Sequence, residues 1–377
     1  MGTVRGSVVT ADGGISLNDW RLSPPKRSWV AQAVERPVGA DFSQNASGDN
    51  GQKPDGRHRH PDRQHSTSAL SRTLKYLLAE SEGALLSMSY DLFFEFQSPI
   101  QAEELNRYFS TRPNYQSGNG AFYQNQATGV YFQFTWSADA VESRAVSRSA
   151  FNMNFFRPHV FALEAEPEVR SFVERFSARV QDLQKDGMGD GPYSTNGFLK
   201  GWNTGNEYAY EAALTMQAPS HKFYTLPANE IERVWRWNFS IASTQALFGE
   251  SLFVPRIMPL LINGELRTVV VWGDGIPELI PDVDMLLIIR DELAPVPANG
   301  VHQKDRCLVL QKSLDEILAP LSDDGYALRV RKPTYNMAPD AVRRFIRSLP
   351  QTTDHITGVA MDSILDGELM HKVKKSS

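Results

Sequence analysis

Cysteine is almost absent from this chain of 377 residues. Cys307 is the only one, so no intramolecular disulfide can form and no disulfide partner is expected within the chain. A structural zinc site would have to be built almost wholly from histidine and carboxylates. This cysteine usage fits a reducing compartment, and we expect the protein to be cytoplasmic.

Long hydrophobic runs are also missing. The longest, such as MLLII at 285–289, fall far below the ~20 apolar residues that cross a bilayer. The first residues, MGTVRGSVVTADGG, lack the apolar centre of a secretory signal, and Gly6 stands where a myristoylation motif carries Ser or Thr. We therefore expect a soluble chain without a membrane partner.

Common catalytic motifs are absent too: there is no G-x-S-x-G, no H-E-x-x-H and no phosphate-binding G-x-x-x-x-G-K-[ST]. The formal charge is a mildly acidic -5. Basic residues interleaved with aromatics occur only in RVWRWN at 233–238, which is too small a footprint for nucleic acid. We infer no cofactor and no nucleic-acid partner, and the sequence leans away from an enzyme.

The apolar content of 41% and the charged content of 22% are typical of globular proteins. Residues 1–87 differ, because they are polar, rich in Gly, Pro and Ser, and without a period. They have little to bury against the entropy of ordering, so we predict a disordered or dispensable extension. Within it, only a leucine-rich stretch at 70–86 has helical spacing.

The rest of the chain divides by composition. We predict an N-terminal α+β domain at 88–184 and a glycine-rich connection at 185–207. A C-terminal α+β domain follows at 208–361, and a basic tail at 362–377 should fray. The length suits two domains of ordinary size.

Local patterns predict the elements of the first domain. YDLFFEF alternates polar and apolar residues from Tyr90 to Phe96, which indicates a half-buried strand. AFYQN and VYFQFTW are predicted to pair as a hairpin, and AFNMNFF and HVFALEA as two further strands. Pro167 then opens a helix.

In the second domain, a helix is predicted from Asn229 to Gly249. Asn263-Gly264 between two apolar runs predicts a hairpin with a type I′ turn. VDMLLIIR and CLVLQK are predicted strands, and PDAVRRFIRSL is a predicted helix. The fold class is therefore α+β, with two lobes that each carry a mainly antiparallel sheet with helices packed on it.

Acidic residues cluster in VVVWGDGIPELIPDVDMLLII at 269–289. Asp282 and Asp284 flank Val283 and would face the same side of a strand, and Asp274 lies nearby. This stretch resembles the Asp-x-Asp pattern of nucleotidyltransferases, whose carboxylates hold two magnesium ions, although the Gly-Ser turn and the intervening helix are missing. We interpret the acids as a solvated turn, and a metal-dependent nucleotidyl or phosphoryl transferase is the alternative.

A second polar cluster lies in FNMNFFRPHVFALEAE at 151–166. Arg157, His159 and Glu164 could form an anion clamp, a base and an acid. A histidine between Pro158 and Val160 is more often a packed residue, and we interpret it so.

Aromatic residues in loops or away from the apolar stripes are the remaining signal. Large aromatic side chains on a surface are typical anchors for a protein partner. We predict that another protein is the partner, and that a bacterial immunity or inhibitor protein is the concrete form of this binding module. The predicted anchors are Trp202, Tyr208, Tyr210 and Trp237.

Overall fold

The structure is a computed structural model, and it describes residues 88–118, 120–138, 144–215, 222–296, 300–301, 303–323 and 325–376. The extension predicted at 1–87 lies outside the described residues. In the described part, the α-helices are α1 (Ala102–Ser110), α2 (Val160–Phe176), α3 (Thr195–Thr215), α4 (Ala228–Phe248), α5 (Asp340–Ser348) and α6 (Gly367–Ser376).

The strands fall into two groups along the chain. Those of the first half are β1 (Ser89–Gln101), β2 (Tyr115–Gly118), β3 (Gly120–Gln124), β4 (Tyr131–Trp136), β5 (Ala145–Asn154), β6 (Arg179–Gln181) and β7 (Asp190–Gly191). Those of the second half are β8 (Tyr224–Leu226), β9 (Met258–Ile262), β10 (Glu265–Gly273), β11 (Ile280–Pro281), β12 (Met285–Arg290), β13 (Asp305–Leu310), β14 (Val330–Arg331), β15 (Ile356–Gly358) and β16 (Ile364–Asp366).

Two larger sheets organise the chain, and they confirm the predicted α+β class. The seven-stranded sheet has the order β2-β3-β4-β5-β1-β6-β7 and is antiparallel throughout. The five-stranded sheet has the order β13-β12-β10-β9-β15, and only its β10–β12 pair is parallel. Two short pairs, β11–β14 and β8–β16, complete the pairing.

One face of the seven-stranded sheet is aromatic and packs against helices. β1 alternates as predicted, with Tyr90, Leu92 and Phe94 buried on this face. Phe172 of α2 lies over it, with ring centroids 5.1 Å from Phe94 and 4.8 Å from Phe134. This layer of rings is the core of the first half.

The opposite face of the same sheet is mainly polar, although Phe93, which is 38% exposed, and Phe122 also lie on it. Asn152 lies opposite Asp91 and donates to its carboxylate at 2.6 Å. On its other side Asn152 lies opposite Gln133. Four residues along β1 from Asp91, Glu95 pairs with Arg148 at 3.5 Å. This alternation is the usual pattern of a sheet with helices on one face and water on the other.

The segment HVFALEA, predicted as a strand, is the first half of helix α2, so this prediction was wrong. Pro167 does not open the helix but lies inside it. The buried residues Val160, Phe161, Glu164 and Ala165 follow helical rather than alternating spacing. Helical spacing of buried side chains therefore decides the structure here.

The glycine-rich segment 185–207, predicted as a connection, contains the first part of helix α3, so the local prediction was wrong. Its glycines are spaced by four residues and allow close packing. A Cβ on Gly201 would lie 2.5 Å from the Tyr90 hydroxyl, and one on Gly205 would lie 2.1 Å from the Phe155 ring. These glycines therefore serve the approach of a helix to the sheet rather than flexibility.

Predictions in the second half hold better. Helix α4 matches the predicted helix closely, and both turn residues of the predicted hairpin, Asn263 and Gly264, have positive φ angles of 52° and 89°. A type I′ turn requires this backbone at both positions, so the hairpin is confirmed.

The tail at 362–377 was predicted to fray, and this prediction was wrong. β16 pairs in parallel with β8, and α6 follows it directly. Ile364, Leu365 and Val373 are at most 1% exposed and belong to the same buried cluster as Tyr90. Its basic composition suggested a solvated end, but apolar residues at helical spacing bury it. The boundaries of the two predicted domains stay predictions.

Candidate functional site

Three of the four predicted aromatic anchors lie in the core. Trp202 and Tyr210 are 0% exposed and Trp237 is 1% exposed, so the surface position expected for them was wrong. Tyr208 is 60% exposed. Its role as an anchor stays a prediction.

The buried aromatics have structural contacts instead. The Trp237 indole Nε1 donates to the Pro255 carbonyl at 2.7 Å. The Tyr210 hydroxyl donates to the Arg157 carbonyl at 3.3 Å and accepts from the backbone N–H of Asp366 at 3.1 Å. Buried Tyr and Trp commonly need such partners for their polar atoms.

A helix-period error explains the misplacement on α4. Trp237 lies three residues after Val234, which is 2% exposed, and both face the core. Trp235 is half-buried at the flank instead. On α3, residues 185–207 were predicted as a connection, so helical spacing was not applied to them. That spacing would have placed Trp202 in the core.

The three acids of the alternative metal site are bound to three different partners. Asp274 accepts backbone N–H groups of residues 291–293 at 3.0–3.2 Å. Asp282 pairs with Arg329 at 2.6 Å, and Asp284 accepts from both the backbone and the hydroxyl of Thr268 at 2.8 Å. The acids thus order a crossing, and the solvated turn predicted here is a hydrogen-bonded one.

The alternative interpretation of these acids as metal ligands gains no support from the arrangement of the described acidic and histidine side chains. Among the residues that the structure describes, no group of three or more His, Cys, Asp or Glu side chains is arranged to hold a metal ion. The fourth acid of the loop, Glu278, is 1% exposed, and its Oε1 has no hydrogen-bond partner. Burial raises the pKa of this carboxyl well above its usual range.

The second polar cluster is separated into independent contacts. Arg157 donates to the Tyr131 hydroxyl at 2.8 and 3.0 Å, and His159 binds Asp366. Glu164 belongs to another network: its Oε1 accepts from Asn125 at 2.8 Å, and its Oε2 from the Trp235 indole at 2.6 Å. The alternative of a clamp, a base and an acid for these residues is not supported, because they do not converge on one point.

The outer face of the five-stranded sheet is aliphatic, and no sequence pattern singled it out as a site. One row crosses four strands, because Leu310 lies opposite Met285, Met285 beside Val269, and Val269 opposite Met258. A second row joins neighbouring strands on the same side. It consists of Leu308, Leu287 and Val271.

This face forms a hydrophobic cluster of its own, separate from the main core. Its buried members are Leu260, Ile262, Val269, Leu287 and Ile356, and the half-buried ones are Met258, Val271, Met285, Ile289 and Leu308. Within the described residues, every member comes from the sheet itself. At the rim, Leu310 is 46% exposed.

A sheet with an apolar face normally buries it against a second layer. The inner face of this sheet meets that rule, since Val270, Trp272 and Leu286 join the main core with Ile346 of helix α5. The outer face has the composition of a buried face but no described apolar partner. We define the outer aliphatic face as this ten-residue cluster together with Leu310.

One sequence signal could have found the outer aliphatic face. MLLII places apolar residues at both parities of strand β12, and such a run is typical of a strand buried on both sides. Among the described residues, the helices of the second half pack on only one of these sides. The other side is therefore a candidate interaction surface.

No family model matches the chain, and neither does a curated protein or a solved structure. In the described part of the chain, every helix is too short or too polar to cross a membrane.

Proposed function

We propose that this protein is a binding module that sequesters a partner protein, and that the outer aliphatic face is its docking surface. A cytoplasmic immunity or inhibitor protein of a bacterium is the concrete form of this function. One observation carries the proposal: six aliphatic residues of this face are half-buried or exposed, and its hydrophobic cluster includes no described side chain from another layer. The six are Met258, Val271, Met285, Ile289, Leu308 and Leu310. Apolar patches of this kind are typical of protein interfaces.

The size of the face favours a different protein over a second copy. Five strands spaced by ~4.8 Å, each about six residues long at ~3.3 Å per residue, give an area on the order of 500 Å². Two such faces packed on each other would bury on the order of 1,000 Å², below the ~1,200 Å² of a specific interface. A partner that also covers the rim supplies the remaining area.

The chemistry of the rim defines the partner further. Glu265 and Arg267 form an ion pair at one border, and Arg306 lies opposite Ile289 at another. The partner should present an aliphatic centre surrounded by charges of both signs. Such a centre with a polar rim is the usual anatomy of a specific interface.

The test is a charge placed on the face where it does not disturb folding. Leu310→Glu introduces a carboxylate at an exposed rim position, and Leu247→Glu on α4, where the leucine is 80% exposed, is the matched control. Each full-length variant is expressed in the native cell and isolated with its bound proteins. We expect a stoichiometric partner with wild type and the control, and at least ~10-fold weaker binding with Leu310→Glu.

Hydrogen exchange of the complex locates the contact. Slower exchange in β9 to β13 on binding supports the proposal. Equal binding by Leu310→Glu overturns it, as does a wild-type homodimer that Leu310→Glu dissociates. Faster exchange of these strands after deletion of residues 1–87 also overturns it, because the chain would then cover its own face.

A further inference from the structure

His159 lies at the end of a tightly fixed turn between β5 and α2. Phe156 has a φ of 59°, which is uncommon for a bulky residue. Asn206 holds this backbone, since its Oδ1 accepts the N–H of Phe156 at 2.7 Å and its Nδ2 donates to the Arg157 carbonyl at 2.9 Å. The turn thereby presents the imidazole at the first turn of α2.

Asp366 of β16 binds His159 twice. Its Oδ1 lies 2.5 Å from the imidazole Nδ1, and its Oδ2 accepts the backbone N–H of His159 at 2.9 Å. The Asp366 side chain is 5% exposed, whereas that of His159 is 26% exposed. The carboxylate is thus buried, and the imidazole remains accessible to protons.

Acidic groups from three elements face this imidazole. Besides Asp366 of β16, Glu232 of α4 lies 3.9 Å from Nε2, and Glu368 of α6 acts through its charge. Arg236 pairs with Glu232 at 2.5 Å, so one of the three carboxylates has its own cation. A protonated His159 supplies the positive charge that the other two lack.

The same contacts fasten the C-terminal segment 364–376. Asp366 is the last residue of β16, and Glu368 accepts the backbone N–H of Ala228 at the start of α4 at 2.8 Å. Lys372 pairs with Glu207 of α3 at 2.5 Å. The imidazole is the one member of this set whose ordinary titration falls near neutral pH.

We propose that His159 is a proton-operated clasp, which fastens segment 364–376 to α2 and α4 when the imidazole is protonated and loosens it when the proton leaves. The residues involved lie outside the outer aliphatic face, so the clasp does not depend on the proposed binding function. It makes the order of the C-terminal segment respond to pH.

The sign of the response follows from the charges. Burial lowers the pKa of His159, but the hydrogen bond and charge of Asp366, with the charges of Glu232 and Glu368, raise it above its usual 6.5. A raised pKa means that the stabilisation is complete below the pKa of the unfolded chain. It is lost as the pH rises through the pKa of the folded protein.

Hydrogen exchange of the full chain tests the clasp. Protection of segment 364–376 is measured relative to strand β12 of the same molecule at about pH 6 and about pH 9, which removes the intrinsic pH dependence of exchange. We expect a several-fold loss of relative protection at the higher pH in wild type. His159→Gln should show low protection without pH dependence.

The ring itself provides a second measurement. Titration of the His159 imidazole by NMR should show a lower pKa in Asp366→Asn than in wild type. Relative protection that is constant with pH in wild type overturns the proposal, even if a variant fails to fold. A pH dependence that persists in His159→Gln overturns it as well.

Discussion

The two large sheets of this protein differ most on the faces that point away from their helices. In the seven-stranded sheet this face carries Asp91, Asn152 and Gln133, which lie side by side across three strands. In the five-stranded sheet the corresponding face carries Met285, Val269 and Met258. The first face suits water, and the second needs a cover. The two sheets of one chain therefore differ in the composition of their outer faces, and only the second is proposed to dock a partner.

The inner faces differ as well. The seven-stranded sheet is packed by rings, and the five-stranded sheet mainly by aliphatic side chains around Trp272. Aromatic pairs add geometric specificity to burial, whereas aliphatic surfaces combine with many neighbours. Under the proposed function, stability and binding belong to different parts of the chain, and five substitutions test this division.

The largest effect is expected at Phe172, at the centre of the aromatic layer. Phe172→Ala should lower the free energy of unfolding by about 3–5 kcal/mol, because it leaves a cavity between packed rings. Urea denaturation provides the measurement. The ring centroid of Phe172 lies 4.8–6.1 Å from those of six aromatic neighbours, Phe94, Phe96, Tyr108, Phe109, Phe134 and Phe176.

Leu308→Ala on the outer aliphatic face is the matched comparison. It should cost less than half as much in the isolated protein, because this side chain is only half-buried and its cluster neighbours come from one layer. If both substitutions cost the same, the face is already covered in the isolated chain and the contrast between the sheets disappears.

An intermediate effect is expected at two buried carboxyl groups, one in each half. Glu164 accepts four hydrogen bonds, and Glu278 has an oxygen without a partner. At neutral pH, Glu278→Gln should raise the free energy of unfolding by about 1–3 kcal/mol, since it removes a buried ionisable group. Glu164→Gln should lower it by a similar ~1–3 kcal/mol, because an amide group then faces a donor.

The pH dependence separates the two causes. The folded pKa of Glu278 is raised by burial, so its carboxyl destabilises the protein only as the pH rises above the unfolded value. The gain from Glu278→Gln should therefore vanish below about pH 4, where the carboxyl is protonated in both states. Thermal unfolding across this range measures it, and a gain that persists in acid would point to packing instead.

The smallest effect is expected on the polar outer face. Gln133→Leu should change the free energy of unfolding by less than ~0.5 kcal/mol, as is usual for a surface position. It should also leave the molecular mass in light scattering unchanged, since Asn152 and Asp91 beside it keep this part of the face polar. A new dimer would show that one added apolar residue is enough to create a docking surface on either sheet. The contrast between the outer faces of the two sheets would then not explain binding.

Sequence reasoning succeeded where the local pattern alone determines the structure. The alternation from Tyr90 to Phe96 and the Asn263-Gly264 turn were both predictable, because strand period and turn backbone are local properties. It failed where tertiary packing overrides composition. Gly201 and Gly205 suggested a loop, yet they lie on helix α3, where they face the aromatic rings of Tyr90 and Phe155.

The candidate site was harder to predict from the sequence than the fold. The outer aliphatic face consists of residues of five strands that only the sheet register brings together, such as Leu310 beside Met285. Asp366 and His159 are separated by 207 positions, so no local motif could pair them. The aromatic count suggested binding, but it could not tell an exposed ring from a buried one, and three of the four chosen rings are structural.

The burial of segment 364–376 has a consequence for how the chain is made. Tyr210 and Asp366, which are hydrogen-bonded, are separated by 156 positions, so this part of the core stays open until the ribosome has added β16. At ~5–20 residues per second the nascent chain spends many seconds with this apolar surface uncovered. Closing such long loops is also slow after release. A peptide that mimics β16 and α6, or a chaperone that shields their binding surface, should therefore change the yield of folded protein more than its final stability.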